Sequence, residues 1–117
     1  MQLSVEQKNE AVVVAPLGRI DHASADDFAA ALQPHLERSL AAGTLLVLDM
    51  SGVDYVSSVG LRALMLAARQ AESRAGRIAI VRLTPLVREV FAISRFDLVF
   101  DIHESVEEAI AASGARH

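Results

Sequence analysis

Leu45-Leu46-Val47-Leu48 is an unbroken apolar run of strand length, the pattern of a strand buried on both faces. It predicts a central strand with cover on either side. Behind it, Leu61, Leu64, Met65 and Ala68 recur at helical spacing while Arg62, Arg69, Gln70 and Glu72 take the other side, so a helix is expected over the core. The stretch Tyr55-Val56-Ser57-Ser58-Val59-Gly60-Leu61 then reads as the turn feeding that helix. Two adjacent serines thus stand where N–H groups lack intrahelical partners and the macrodipole adds about half a positive charge. On residue chemistry alone a hydroxyl there is a helix cap.

The flanking segments supply further strands and helices. Leu3, Val5 and Gln7 alternate with Ser4, Glu6 and Lys8, and Asn9-Glu10 offers a turn into Ala11–Ala15, which predicts an N-terminal hairpin with a half-buried first strand. Pro16 is expected near a strand end, since it cannot donate to a ladder, and Gly18-Arg19-Ile20-Asp21 is expected to leave the sheet. Ser24 and Asp27 resemble a capping box for a helix whose inner face is Phe28, Ala31, Leu32, His35, Leu36 and Leu40, with Gly43 as its stop. Pro34 inside it predicts a kink or break, because it removes a hydrogen bond and clashes with the preceding turn.

Further on, Gly76 fits a C-cap and Arg77–Leu83 a strand. Thr84 and Pro85 suit the N-cap and N1 positions of a short helix with Val87, Val90, Phe91 and Ser94 inward. A short strand is expected near Leu98-Val99-Phe100. Ser105 with Glu108 forms a capping box for a last helix carrying Val106, Ala109 and Ile110 and ended by Gly114, after which Ala115–His117 should fray. Strands alternating with helices imply an α/β fold with a mostly parallel sheet of four to five strands, an N-terminal antiparallel hairpin and about four helices.

Composition narrows the partners. At 117 residues the chain is expected to form one domain, 1–117, burying roughly two-thirds of its unfolded surface. Without cysteine there is no disulfide framework and no thiolate metal site. Neither a signal peptide nor an apolar run of membrane-spanning length is visible, so a soluble, cytoplasmic protein is expected. A net charge of −4 with few aromatics argues against direct nucleic-acid binding. Another protein is the expected partner.

The run Leu48–Arg62 resembles the signature of STAS domains, particularly the stand-alone bacterial anti-sigma-factor antagonists. Leu17–Asp21 is similar to that family's early strand end and Leu83–Ser94 to its late helix, so the resemblance covers nearly the whole chain. It implies a STAS-like fold in which a kinase phosphorylates a serine of an Asp-Ser-Ser-Gly turn. Aligned on Gly60-Leu61, Ser57 falls on the family's aspartate, Ser58 on the phosphoacceptor and Val59 on its second serine. Ser58 therefore inherits the phosphorylation site, and the two departures imply either altered kinase recognition or a domain that binds without being modified. Arg95 stands where relatives often carry glycine.

The resemblance implies a phosphorylation-switched interaction module. Unmodified, it binds an anti-sigma factor that is also an ATP-binding serine kinase and frees a sigma factor; phosphorylated on Ser58, it lets go, and a metal-dependent serine phosphatase resets it. The alternative within the fold is a non-switching STAS subunit of an ABC lipid transporter or a signalling scaffold. Candidate partner-interface residues are Asp21, Ser57, Gly60 and Arg62. Gly60 could be a tolerated helix glycine or admit a partner close to the Ser58 backbone, and Arg62, one turn after Ser58, could steady a phosphate or merely be solvated.

Other chemistry finds little support. Ser58, Asp97 or Asp101, and His103 follow the chain order of a hydrolase triad, yet the Gly-x-Ser-x-Gly elbow is absent because Val56 takes its first glycine position. His22, His35, His103 and His117 show no paired ligand spacing, and no phosphate-binding glycine loop is present. No enzyme activity, cofactor or metal is expected.

Overall fold

The computed structural model describes residues 2–8 and 10–114. β1 (Leu3–Lys8) and β2 (Ala11–Pro16) form the expected antiparallel hairpin, although Asn9 of its turn lies outside the described residues. β4 (Leu45–Asp49) pairs in parallel with β2 on one side and with β6 (Ile78–Val81) on the other, and β7 (Asp101–His103) completes the order β1-β2-β4-β6-β7. β4 is thus the middle of five strands. Leu46 and Leu48 face one core and Leu45 and Val47 the other, which is why the run is apolar throughout.

Helices α1 (Ala25–Ala42), α2 (Ser58–Ser73) and α3 (Pro85–Ile93) contribute Phe28, Leu32, Leu36, Leu64, Val87 and Phe91 to the larger core. α4 (Val106–Gly114) covers the opposite face with Val106 and Ala109. Ser105 caps α4 as expected, accepting the Glu108 N–H at 3.0 Å. The inner face of α2 is turned slightly from the periodicity reading, with Gly60, Leu61, Leu64, Ala67 and Ala71 buried and Met65 and Ala68 only half-buried.

Several local expectations are corrected. Gly18-Arg19-Ile20 does not simply leave the sheet: as β3 (Gly18–Ile20) it pairs in parallel with β5 (Val53–Val56) in a separate two-stranded sheet. Part of the stretch expected to be a turn is therefore strand. β1 is mostly exposed rather than half-buried, because it is the edge strand and α1 packs on β2 and β4. α1 runs unbroken through Pro34, which lies on the exposed face, as does Ala30, whose carbonyl has no N–H to accept from Pro34. The strand expected near Leu98–Phe100 is a 3₁₀ turn (Phe96–Leu98) followed by β7.

The ends of α2 and α3 depart from the expected chemistry as well. Ala75, not Gly76, takes the left-handed conformation after α2, and the N–H groups of Ala75 and Gly76 return to the Glu72 and Ala71 carbonyls. A Cβ on Gly76 would meet the end of the Leu40 side chain, which would have to turn aside. The Thr84 hydroxyl does not cap α3 but donates to the Val53 carbonyl at 3.1 Å, tying α3 to β5. Arg95 has φ 63°, the backbone conformation that glycine adopts freely. The fraying expected of Ala115–His117 lies outside the described residues.

Candidate functional site

β3 and β5 end side by side, and the helices that follow them, α1 and α2, begin there. The Ile20 carbonyl, last in β3, accepts the Ser57 N–H at 2.9 Å. A Cβ on Gly60 would run into that same carbonyl oxygen. Gly60 is thus buried against β3, and its small size serves internal packing.

The two serines divide their roles. Ser57 is the N-cap of α2: its backbone is extended, and its Oγ accepts the Gly60 N–H at 3.2 Å. Ser and Asp are equivalent caps, so serine at this position keeps the cap without a negative charge. Ser58 is the first residue of α2 and is exposed, and among the described residues no hydrogen bond involves its hydroxyl. One hydroxyl is committed to the fold and its neighbour is free.

Asp21 organises the other side of the site. Its carboxylate accepts the N–H groups of Ala23 and Ser24 at 3.0 and 3.2 Å, which fixes the turn into α1. Ser24 therefore does not cap α1 with its side chain; its Oγ donates to the Arg19 carbonyl at 2.7 Å. Partial burial pushes the Asp21 carboxyl up, but the Arg19 guanidinium at 3.3 Å and the Ala23 and Ser24 donors outweigh it and hold the group below its ordinary value. The structure thus brings Asp21, Ser57 and Gly60 together around Ile20, with Ser58 and Arg62 one turn apart on the exposed side of α2.

Two further residues escape a reading of the sequence. Arg19 lies over the Tyr55 ring, 4.7 Å from its centroid, because the β3–β5 register sets these residues opposite each other. No local signal marks a strand of three residues, so this pair became visible only in three dimensions. The hydrolase arrangement does not assemble among the described residues. His103 pairs with Asp101 within β7 at 3.0 Å, and no hydrogen bond joins either residue to Ser58.

Comparison with known proteins agrees with this architecture. The family model described as "Mlab, STAS domain" matches residues 3–101. BtrV of Bordetella bronchiseptica, provisionally named an anti-sigma factor antagonist, is 33% identical over 112 residues, covering 96% of this chain and 94% of its own. The crystal structure of an anti-sigma factor antagonist from Mycobacterium paratuberculosis is 25% identical with a TM-score of 0.78, over 95% of this chain and 92% of that one. The Bacillus cell fate determinant SpoIIAA in its phosphorylated form shares the fold at 23% identity and a TM-score of 0.66, over 96% and 99% of the two chains. A central strand, a capped helix behind it and this likeness along nearly the whole length lead to one conclusion: the chain belongs to the STAS domain family.

Proposed function

We propose that the chain is an anti-sigma-factor antagonist acting as an interaction module rather than an enzyme, and that Ser58 is the residue whose phosphorylation switches it. The observation that carries this reading is the division between Ser57, whose hydroxyl caps α2, and Ser58, whose hydroxyl is exposed and uncommitted. A kinase can take Ser58 without dismantling the helix start. The likeness to BtrV, named as an antagonist, and to SpoIIAA, known in a phosphorylated form, supports the same role. In this reading the unmodified chain binds an anti-sigma factor that is also an ATP-dependent serine kinase, a sigma factor is released, and a metal-dependent phosphatase restores the chain after modification.

The geometry supplies a mechanism for the release. A phosphoserine carries about −1.5 to −2 charge, and the helix N-terminus stabilises nearby negative charge by about 0.3–1 kcal/mol at exposed sites. Arg62, one turn later and without an ion pair among the described residues, receives the phosphate in this reading. The fold accepts the charge, while a partner fitted to a neutral hydroxyl must desolvate or repel it. Asp21 and Arg19 flank the same surface and contribute to partner recognition in this reading.

Phosphorylation by the cognate kinase tests the assignment. Intact mass is expected to show one added phosphate on the wild type and none on Ser58→Ala. Stoichiometric labelling of Ser58→Ala, mapped to Ser57 or elsewhere, would overturn it. A second reading, a non-switching STAS subunit of an ABC lipid transporter or a signalling scaffold, rests on Ser57 and Val59 standing where the family signature has aspartate and serine. An unlabelled wild type in the presence of an active cognate kinase would select that reading.

A further inference from the structure

The geometry points to the trench between α1 and α2 as the seat of a short apolar helix of the protein partner. The inference rests on the partner-binding reading above and identifies which further surface that partner covers. Alanines create the trench: Ala25 and Ala29 on α1 face Ala63 and Ala67 on α2, four residues apart on each helix. Such short side chains leave the space between the helices unfilled, a volume of about 260 Å³. Val59 and Leu66 line it and remain 44% and 55% exposed. Two large aliphatic side chains thus share one concavity.

Gln33 and Gln70, which line the trench, both donate to Glu37, at 3.1 and 2.8 Å. Val59, the residue directly after Ser58, lines it as well. From Val59 to Gln70 the α2 wall is about 16 Å long at 1.5 Å per residue, a match for roughly three turns of a docked helix presenting aliphatic side chains at i, i+3 or i+4 and i+7.

Charge argues for a protein segment rather than an acyl chain. Asp26 on the α1 wall and Arg62 on the α2 wall both line the trench, and among the described residues neither has an ion pair or a side-chain hydrogen bond. An acyl chain would leave both charges unused. A helix with a basic residue toward Asp26 and an acidic residue toward Arg62 would use both, and the continuity of the trench with Ser58 assigns it to the same partner. Phosphorylation then acts on this surface too, since a phosphate on Ser58 draws Arg62 away from the docked helix.

The probe is the cognate anti-sigma factor in titrations against the purified chain. Leu66→Glu and Ala29→Trp alter exposed trench positions outside the core, so melting temperatures close to wild type are expected alongside affinities at least tenfold weaker. A photo-crosslinking residue at position 66 is expected to capture one contiguous segment of the anti-sigma factor with aliphatic residues at helical spacing. Wild-type affinity in both folded variants, or capture of a segment without that spacing, would overturn the inference while leaving the antagonist reading intact. So would a change in the sedimentation of the chain alone on Leu66→Glu, which would assign the trench to a second copy. If the anti-sigma factor does not bind the wild type, the antagonist reading itself falls and this inference with it.

Discussion

Gly60 of α2 and Ile20 of β3 meet so closely that a Cβ on the glycine would overlap the Ile20 carbonyl oxygen, which already accepts the Ser57 N–H at 2.9 Å. Gly60→Ala sets two effects against each other. Alanine gains about 0.5–1 kcal/mol of helix propensity, whereas overpacking a rigid site costs about 1–3 kcal/mol. The obstacle is backbone and cannot rotate aside, so the clash wins. Net destabilisation of about 1–2 kcal/mol is expected by denaturant titration, and a Gly60→Ala variant more stable than wild type would contradict the packing.

Ser57→Ala removes the cap on Gly60 and is expected to cost about 1 kcal/mol. Ser58→Ala touches no hydrogen bond and is expected to stay within about 0.5 kcal/mol of wild type. Urea unfolding of the pair separates the capping hydroxyl from the uncommitted one, and the reverse ranking would give the cap to Ser58.

Pro34 interrupts the hydrogen bonding of an otherwise continuous α1 on its exposed face. Proline inside a helix costs about 3 kcal/mol, and stiffening of the unfolded chain returns about 0.4–1 kcal/mol of this. Pro34→Ala is expected to raise stability by about 2 kcal/mol, read as a higher urea midpoint. A lowered midpoint would show that α1 needs the proline.

Glu37 is held below its ordinary carboxyl value, chiefly by its hydrogen bond with Arg74, with Gln70 and Gln33 adding to the effect. A carboxyl whose folded value is depressed binds its proton less readily folded than unfolded. Its stabilising effect is therefore complete above the unfolded value of about 4.3 and fades as pH falls through the lower folded value. Glu37→Gln is expected to melt below wild type near neutral pH and to approach it in acid. A gap that widens toward acid would reverse the sign and exclude this linkage.

What the sequence made legible follows from where the physical signals are strong. Leu45–Leu48 has no polar position, so its burial on both faces and its central place could be read directly. The hairpin, the start of α4 and the capped stop of α1 at Gly43 were legible for similar reasons. β3 and β5 were not, because strands of three and four residues carry almost no periodicity and their pairing is a tertiary fact. The break expected at Pro34 does not occur, because the carbonyl it leaves without an intrahelical partner is that of Ala30 on the exposed face, so the helix continues at a cost in stability. Ser24 and Thr84 misled because each hydroxyl donates to a distant carbonyl, of Arg19 and of Val53, and accepts no N–H of the helix it precedes. At the site, the family likeness singled out Ser58, but only the geometry separates its free hydroxyl from the capping hydroxyl of Ser57 and gives Gly60 its internal role.

The measurement closest to the central claim is a titration of the cognate anti-sigma factor with unmodified and Ser58-phosphorylated chain, with a thermal melt of each form. A partner that must desolvate or repel the new charge loses on the order of 2.7 kcal/mol, a hundredfold in affinity. The α2 N-terminus is expected to tolerate that charge. The expected result is at least a hundredfold weaker binding of the phosphorylated form with little change in melting temperature. Equal binding by the two forms, or a phosphorylated chain that melts far below the unmodified one, would contradict the account.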